Sequence, residues 1–238
     1  MSVGDAPGGG LRILFFGLPV GISAAVLAGL LADGADVAAV VVPAAAIPHL
    51  LPDAPAPLAA IEPHRPTATL LLEGASPTDT LAVAWAARLP VLAVTDFAVP
   101  AALAALAALR PDVAVVACFT RRIPAALLAV PRLGFLNLHP SLLPAYRGPR
   151  PVYWQLRHQA PTGVTVHYMD EGLDTGDVAA QRPVALPPGL SEAQAERRLM
   201  LVGLDLLRGI LAELAQGIVR RRPQPPGGST YGFPPEEG

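Results

Sequence analysis

The sequence predicts an α/β fold: a mostly parallel sheet with helices on both of its faces. Three observations lead there. Two short runs, Leu11 to Phe16 and Val37 to Val42, are apolar enough on both faces to be strands covered from both sides. Between them Ile22 to Ala32 has helical composition and stops at Gly34, so the chain opens β-α-β. A further run, Val113 to Cys118 (VAVVAC), reads as a central strand.

In order along the chain, residues 1–10 form a glycine-rich leader expected to be disordered. Gly17-Leu18-Pro19 turns the first strand, and Gly34 is a plausible cap for the helix that follows. The proline-rich segment 43–78 reads as irregular surface structure, with one strand candidate at Thr69 to Glu73. Thr78 to Arg88 then reads as a helix, Val91 to Val94 as a strand and Pro100 to Leu109 as an alanine-rich helix. After the central strand, residues 119–124 begin a loop and a short helix that lead to a strand at Leu133 to Leu138. Pro140 stops that strand because it has no N–H for a ladder. Gly163 to Met169 alternates well enough to be the next strand, and Val178 to Leu186 is a β segment broken by Pro183. Ser191 and Gln194 form a capping box for a long helix to about Ile218. Its apolar stripe is Leu199, Val202, Leu206/Leu207, Ile210, Leu214 and Ile218. Arg220, Arg221 and Arg222 suit the negative end of the helix dipole better than they suggest a phosphate cluster. This gives a leader over 1–10, one domain over 11–218 and a proline- and glycine-rich tail over 219–238, with no second β-barrel domain expected.

Composition narrows the function classes. Hydrophobic residues make up 52% and charged residues 15% of 238, which is globular and large enough for a sizeable core. All 17 basic residues are arginine and the net charge is −2, so there is no electrostatic footprint for nucleic acid. The single Cys118 excludes an internal disulfide and fits a reducing, cytoplasmic setting. No signal peptide or membrane-spanning run is read, and no Cys/His/carboxylate spacing suggests a metal.

The chemistry concentrates in residues 133–177, LGFLNLHPSLLPAYRGPRPVYWQLRHQAPTGVTVHYMDEGLDTGD. Period-two alternation puts Asn137 and His139 on one side of a strand end. The glycine-rich acidic loop DEGLDTGD can bring Asp174 back against the histidine. Asp170, Glu171 and Asp177 are carboxylates of the same loop, and His158 and His167 read as structural.

NLHPSLLPAYRG followed by DEGLDTGD resembles the signature of formyltransferases that use 10-formyltetrahydrofolate. The likeness runs from about Leu11 to Tyr231 and is strongest over 112–178. It implies a Rossmann-like formyltransferase fold and a triad of Asn137, His139 and Asp174. By the same resemblance His139 handles protons and, as imidazolium, steadies the oxyanion. Asn137 donates its amide N–H to that oxyanion, and Asp174 holds the imidazole. The folate is expected against Phe119, Thr120, Arg121, Arg122 and Ile123 on one side and Asp170, Glu171, Gly172 and Leu173 on the other. Ser141 and Arg147 are expected on the acceptor side, Ser141 stiffening the rim and Arg147 contacting a phosphate or carboxylate.

The acceptor is less constrained. FFGLPVGIS resembles the start of methionyl-tRNA formyltransferases more than the phosphate loop of glycinamide ribonucleotide formyltransferases. Net charge and the short tail point instead to a small amine, an amino sugar or an amino-acid derivative, ahead of tRNA. Formyltetrahydrofolate hydrolysis, with water as acceptor, is a lesser alternative. A dinucleotide-binding oxidoreductase is disfavoured: G-x-G-x-x-G is missing, and the second strand ends in Val42-Pro43 where an acidic ribose ligand would stand. A binding module without catalysis would be expected to lack a member of the triad. The oligomeric state stays open.

Overall fold

A computed structural model describes residues 10–51, 56–63 and 79–235. One eight-stranded sheet spans it, in the order β3-β4-β2-β1-β5-β6-β7-β8. The strands are β1 (Arg12–Gly17), β2 (Asp36–Pro43), β3 (Leu58–Ala60), β4 (Val91–Val94), β5 (Val113–Ala117), β6 (Phe135–His139), β7 (Gly163–Tyr168) and β8 (Val178–Pro183). β4, β2, β1, β5 and β6 run parallel, while β3 and β7 are antiparallel to their neighbours.

The helices are α1 (Gly21–Ala32), α2 (Thr80–Ala86), α3 (Pro100–Ala108), α4 (Ala125–Leu128), α5 (Pro151–Arg157) and α6 (Glu192–Ala215). They cover both faces, as strands apolar on both sides require. α1, α2 and α6 pack with Phe15, Val40, Val115, Leu136 and Val166 on one face. α3 and α4 pack with Phe16, Val41, Val116 and Phe135 on the other.

Local signals explain most boundaries. Gly34 ends α1 at φ +75, its N–H on the Leu31 carbonyl. The Asp79 carboxylate caps α2 by accepting from the Leu81 N–H, and Ser191 and Gln194 form the reciprocal capping box of α6. Two readings differ from the sequence expectation. Segment 43–78 supplies β3, a three-residue strand on β4 too short to have a pattern; the candidate at Thr69 to Glu73 lies outside the described residues. Ile218 is 42% exposed because α6 stops at Ala215, and Met200 and Leu204 supply the buried stripe with Leu199 and Leu207.

The tail over 219–235 folds back on the domain. Val178 and Arg222 exchange backbone hydrogen bonds, as Arg147 does with Ser229 and Tyr231. Tyr231 stacks between Tyr146 and Trp154. Arg220 pairs with Glu213, and the Arg221 guanidinium lies over the Tyr168 ring. Two of the three arginines are thus engaged within the chain.

Candidate active site

β6 carries Asn137 and His139 two residues apart on one face, at the carboxyl end of the parallel set, where open α/β sheets place ligands. His139 is itself the last residue of the strand, and Pro140 ends the ladder. β7 pairs antiparallel with β6 so that Asn137 faces His167 and His139 faces Thr165. Directly paired residues share a face, so four polar side chains meet on a strand pair otherwise filled with apolar ones.

The loop after β7 brings Asp174 to them. Its Oδ2 lies 3.6 Å from His139 Nδ1, and its Oδ1 lies 3.5 Å from His167 Nε2 and 3.4 Å from Asn137 Nδ2. The Gly148 N–H donates to Oδ2 at 2.8 Å. At Gly148 φ is +98, and a side-chain carbon would stand 2.1 Å from the Tyr231 carbonyl oxygen, so only glycine fits. Asp174 is held at φ +53 and Tyr146 at φ +59, left-handed conformations that aspartate tolerates but that are rare for a tyrosine and found at sites where neighbours over-determine the backbone.

Carbonyl partners fix the imidazole protons. His139 Nε2 contacts the Tyr146 carbonyl at 2.8 Å, and a carbonyl only accepts, so the proton is on Nε2 and Nδ1 faces Asp174. In His167, Nδ1 donates to the Tyr168 carbonyl, leaving Nε2 to accept from Asn137 Nδ2 at 3.1 Å. Both hydrogens of the Asn137 amide are therefore engaged. The one toward Asp174, at 3.4 Å, is held more loosely.

Burial drives the His139 pKa down, against the pull of Asp174 and the Tyr146 carbonyl and with the help of His167. Burial alone would raise the Asp174 carboxyl. The neighbouring His139 and His167 rings and the Gly148 N–H outweigh it, and hold the group well below the usual carboxylate range. At neutral pH the pair is a carboxylate beside an imidazole poised to gain a proton on Nδ1. The Cys118 thiol is pushed up to about 12 by burial, with Glu196 adding to it, so it is no thiolate nucleophile.

Asn137 and Asp174 line a cavity of about 540 Å³. Phe119, Thr120, Arg121, Arg122 and Ile123 form one wall, and Asp170, Glu171, Gly172 and Leu173 the other. Arg122 ties the two walls by donating to the Glu171 carbonyl at 2.9 Å. Phe119 lines the cavity and meets Phe16 edge-on, so it serves wall and core together. A groove of about 880 Å³ between α5 and residues 183–190 is larger, but no ionisable side chain lines it.

Two residues expected on the acceptor side are engaged within the chain. Ser141 is fully buried with its hydroxyl donated to the Ala145 carbonyl, so it stiffens the turn from inside and does not face an acceptor. Arg147 gives Nε and Nη2 to Gln224 and Nη1 to the Gly227 carbonyl, so its guanidinium anchors the tail. His167 is the residue the sequence reading missed. A strand with polar residues at alternate positions, Thr165 and His167, beside a strand with Asn137 and His139, is the signal that could have found it. Among the described residues no group of three or more His, Cys, Asp or Glu is placed to hold a metal ion, and no helix is long and apolar enough to cross a membrane.

Residues 68–208, well over half of the chain, match the family described as formyl transferase. A methionyl-tRNA formyltransferase of Roseiflexus sp. (strain RS-1) is 43% identical over 143 residues, 60% of this chain and 44% of that one. The chain thus spans under half the length of the curated relatives it matches. Glycinamide ribonucleotide transformylase 1 from Geobacillus kaustophilus superposes with a TM-score of 0.62 at 27% identity, covering 87% of this chain and all of that one. The formyltransferase PseJ from Anoxybacillus kamchatkensis, solved with a formamido sugar nucleotide and tetrahydrofolate, gives 0.55 at 19% over 93% of this chain and 86% of that one, a likeness of fold alone. Sheet order, the strand-end cluster and the match over 68–208 agree: the chain belongs to the formyl transferase family.

Proposed function

We propose that the chain moves a formyl group from 10-formyltetrahydrofolate to an amine, with Asn137, His139 and Asp174 at the reacting centre. One observation carries the reading: Asn137 and Asp174 line a cavity walled by 119–123 and 170–173, and His139 Nδ1 lies 3.6 Å from the Asp174 carboxylate. Its volume, about 540 Å³, falls in the range of small-molecule sites. Val116, Phe119 and Met169 offer apolar surface for a ring.

The donor supplies a formyl carbon already bonded to nitrogen; the chain's residues orient it and handle charge and protons. As the amine nitrogen bonds to that carbon, the carbonyl electrons move onto oxygen. The Asn137 hydrogen loosely shared with Asp174 turns to that oxygen, a contact of a kind worth about 3 kcal/mol in transition states. The attacking nitrogen loses its proton to His139 Nδ1 through a water at the Asp174 edge, since the ring is only 4% exposed. The imidazolium then lies between two acceptors, the Asp174 carboxylate and the Tyr146 carbonyl, until the proton passes to the departing folate nitrogen.

For the acceptor we favour a small primary amine such as an amino sugar or an amino-acid derivative. A chain of net charge −2 without lysine is poorly suited to neutralise the phosphates of a polyanion. The second reading, the amino group of a methionyl-tRNA, is supported by relatives of that name at 37–43% identity. Loss of 10-formyltetrahydrofolate is to be followed with a panel of amines and with methionyl-tRNA, using His139→Ala as control. Turnover of a small amine with no gel shift of initiator tRNA is the expected result. Nanomolar tRNA binding at physiological salt would move the assignment to the second reading, and no donor loss with any acceptor would overturn both.

A further inference from the structure

The tail residue Gln224 makes four hydrogen bonds, and all of them go to the two loops that hold His139 and Asp174 in place. Its Nε2 donates to the Asp174 carbonyl and to the Gly176 carbonyl, each at 2.8 Å. Its Oε1 accepts from Arg147 Nη2 at 2.7 Å and from Nε at 3.2 Å. The amide has two donors and two lone pairs, and every one is used.

The two loops need such a tie. Asp174 is in a left-handed conformation, uncommon outside glycine although aspartate tolerates it better than most. Tyr146 is in another, and its carbonyl fixes the His139 ring. Between them the direct link is the Gly148 N–H on the Asp174 carboxylate. Gln224 adds a second link at the backbone, from the Asp174 carbonyl through the amide to the Arg147 side chain. The tail around it is itself anchored, upstream where Arg222 pairs with Val178 and downstream where Tyr146 N–H donates to Ser229 Oγ. Its amide is therefore a fixed spacer rather than a surface side chain that happens to reach the site.

We propose that Gln224 is a positioning residue that sets the distance between the Asp174 carboxylate and His139, and through it the proton transfer that the proposed reaction requires. The inference rests on the formyl-transfer reading for its kinetic consequence but not for its geometric one. The charged and titratable groups facing His139 are Asp174 and His167. Loosening Asp174 weakens the larger of the two influences that raise the imidazole pKa, the Tyr146 carbonyl being the other, against burial and His167, which lower it. The His139 midpoint therefore moves down in the variant.

Three substitutions separate positioning from mere anchoring. Gln224→Leu removes all four bonds. Gln224→Glu still accepts from Arg147 but has no hydrogen for the Asp174 and Gly176 carbonyls, so it cuts only the loop side. Trp154→Leu removes a different anchor of the same tail, the Tyr231 stack and the indole bond to the Gly232 carbonyl, without touching Gln224. The midpoint of His139 is read by NMR on the full chain with ring-labelled histidine, and folding by thermal unfolding. With the amine that the wild type formylates, kcat and KM for 10-formyltetrahydrofolate are measured beside it.

Gln224→Leu and Gln224→Glu are expected to lower the His139 midpoint and to cut kcat by roughly 10- to 100-fold, the scale of a small misplacement at a reacting centre, with KM nearly unchanged. Trp154→Leu is expected to lower the unfolding temperature and leave the midpoint alone. An unchanged midpoint in both Gln224 variants, or an equal shift in Trp154→Leu, would overturn the proposal. If Gln224→Leu does not fold, Gln224→Glu decides alone. The titration needs no acceptor: a wild type without transfer activity defeats the formyl-transfer reading, whereas an unshifted midpoint defeats the role of Gln224.

Discussion

Two strand pairs of the sheet, β1–β2 and β6–β7, are about equally buried and built on opposite principles. β1–β2 is sealed along nearly its whole length and its buried side chains are apolar. β6–β7 keeps that filling on the α6 face, with Leu136, Leu138, Val164 and Val166, but sets Asn137, His139, Thr165 and His167 on the other. A buried polar group costs free energy unless it is paired. Here each one is: Thr165 donates to the Ser141 carbonyl and accepts from the Leu143 N–H, and the other three close on Asp174 and on backbone carbonyls. The contrast teaches where to look for chemistry in such a sheet. One pair supplies the frame; the other departs from the apolar rule, and departures of that kind concentrate at functional sites.

The largest expected effects separate the two pairs by what they damage. His139→Ala on β6 is expected to lower the formyl-transfer rate by about 10²- to 10⁴-fold, the usual worth of a general acid–base group. Its stability should fall by less than for a core truncation, about 1–3 kcal/mol, the cost of leaving the Tyr146 carbonyl without its donor. Leu14→Ala on β1, a fully buried side chain, should do the reverse, costing about 2–5 kcal/mol of stability while the folded fraction keeps its kcat. Steady-state kinetics and denaturant unfolding on both variants check the pair of statements. Comparable losses of rate in both would erase the distinction.

A smaller effect is expected from His167→Leu. It frees the Asn137 amide from its shorter partner and withdraws one neighbour of Asp174, so kcat should fall by roughly tenfold, about 1.4 kcal/mol at the transition state. Single-turnover rates at saturating 10-formyltetrahydrofolate measure it, and an unaltered rate would return His167 to a purely structural place.

The smallest is a pH dependence of stability. Burial lowers the folded-state pKa of His139, so the unfolded chain binds more protons than the folded one between that lowered value and the ordinary value of about 6.5. The contribution is fully present above about 6.5 and is lost as pH falls toward the folded pKa. Asp174, depressed as well, adds a second loss that begins only near its ordinary value of about 3.9. Urea midpoints between pH 8 and 5 should therefore decline in the wild type and decline less in His139→Gln.

The frame was legible in the sequence because its signals are local. Val91 to Val94 is a strand with those bounds, Ser191 and Gln194 cap α6, and Gly34 ends α1. The pairing of Asn137 with His139 was legible too, because alternation fixes both on one side, whereas the choice of Asp174 over Asp170, Glu171 and Asp177 came from the resemblance. What escaped depends on partners distant along the chain. His167 belongs to the site through the register of β6 against β7, and Gln224 through a tail that crosses back over two loops. Ser141 and Arg147 have types that suit substrate contact, yet their partners, Ala145 nearby and Gln224 far away, use them up. β3 is three residues long, below the length at which a pattern exists.

The measurement that tests the central claim most directly is a double-mutant cycle on Asp174 and His139, read as formyl transfer from 10-formyltetrahydrofolate to the amine that the wild type accepts. Groups that act as one unit are grossly non-additive. The account predicts that Asp174→Ala added to His139→Ala costs almost nothing beyond the first substitution. Two losses that simply multiply, or an Asp174→Ala chain as fast as the wild type, would contradict it.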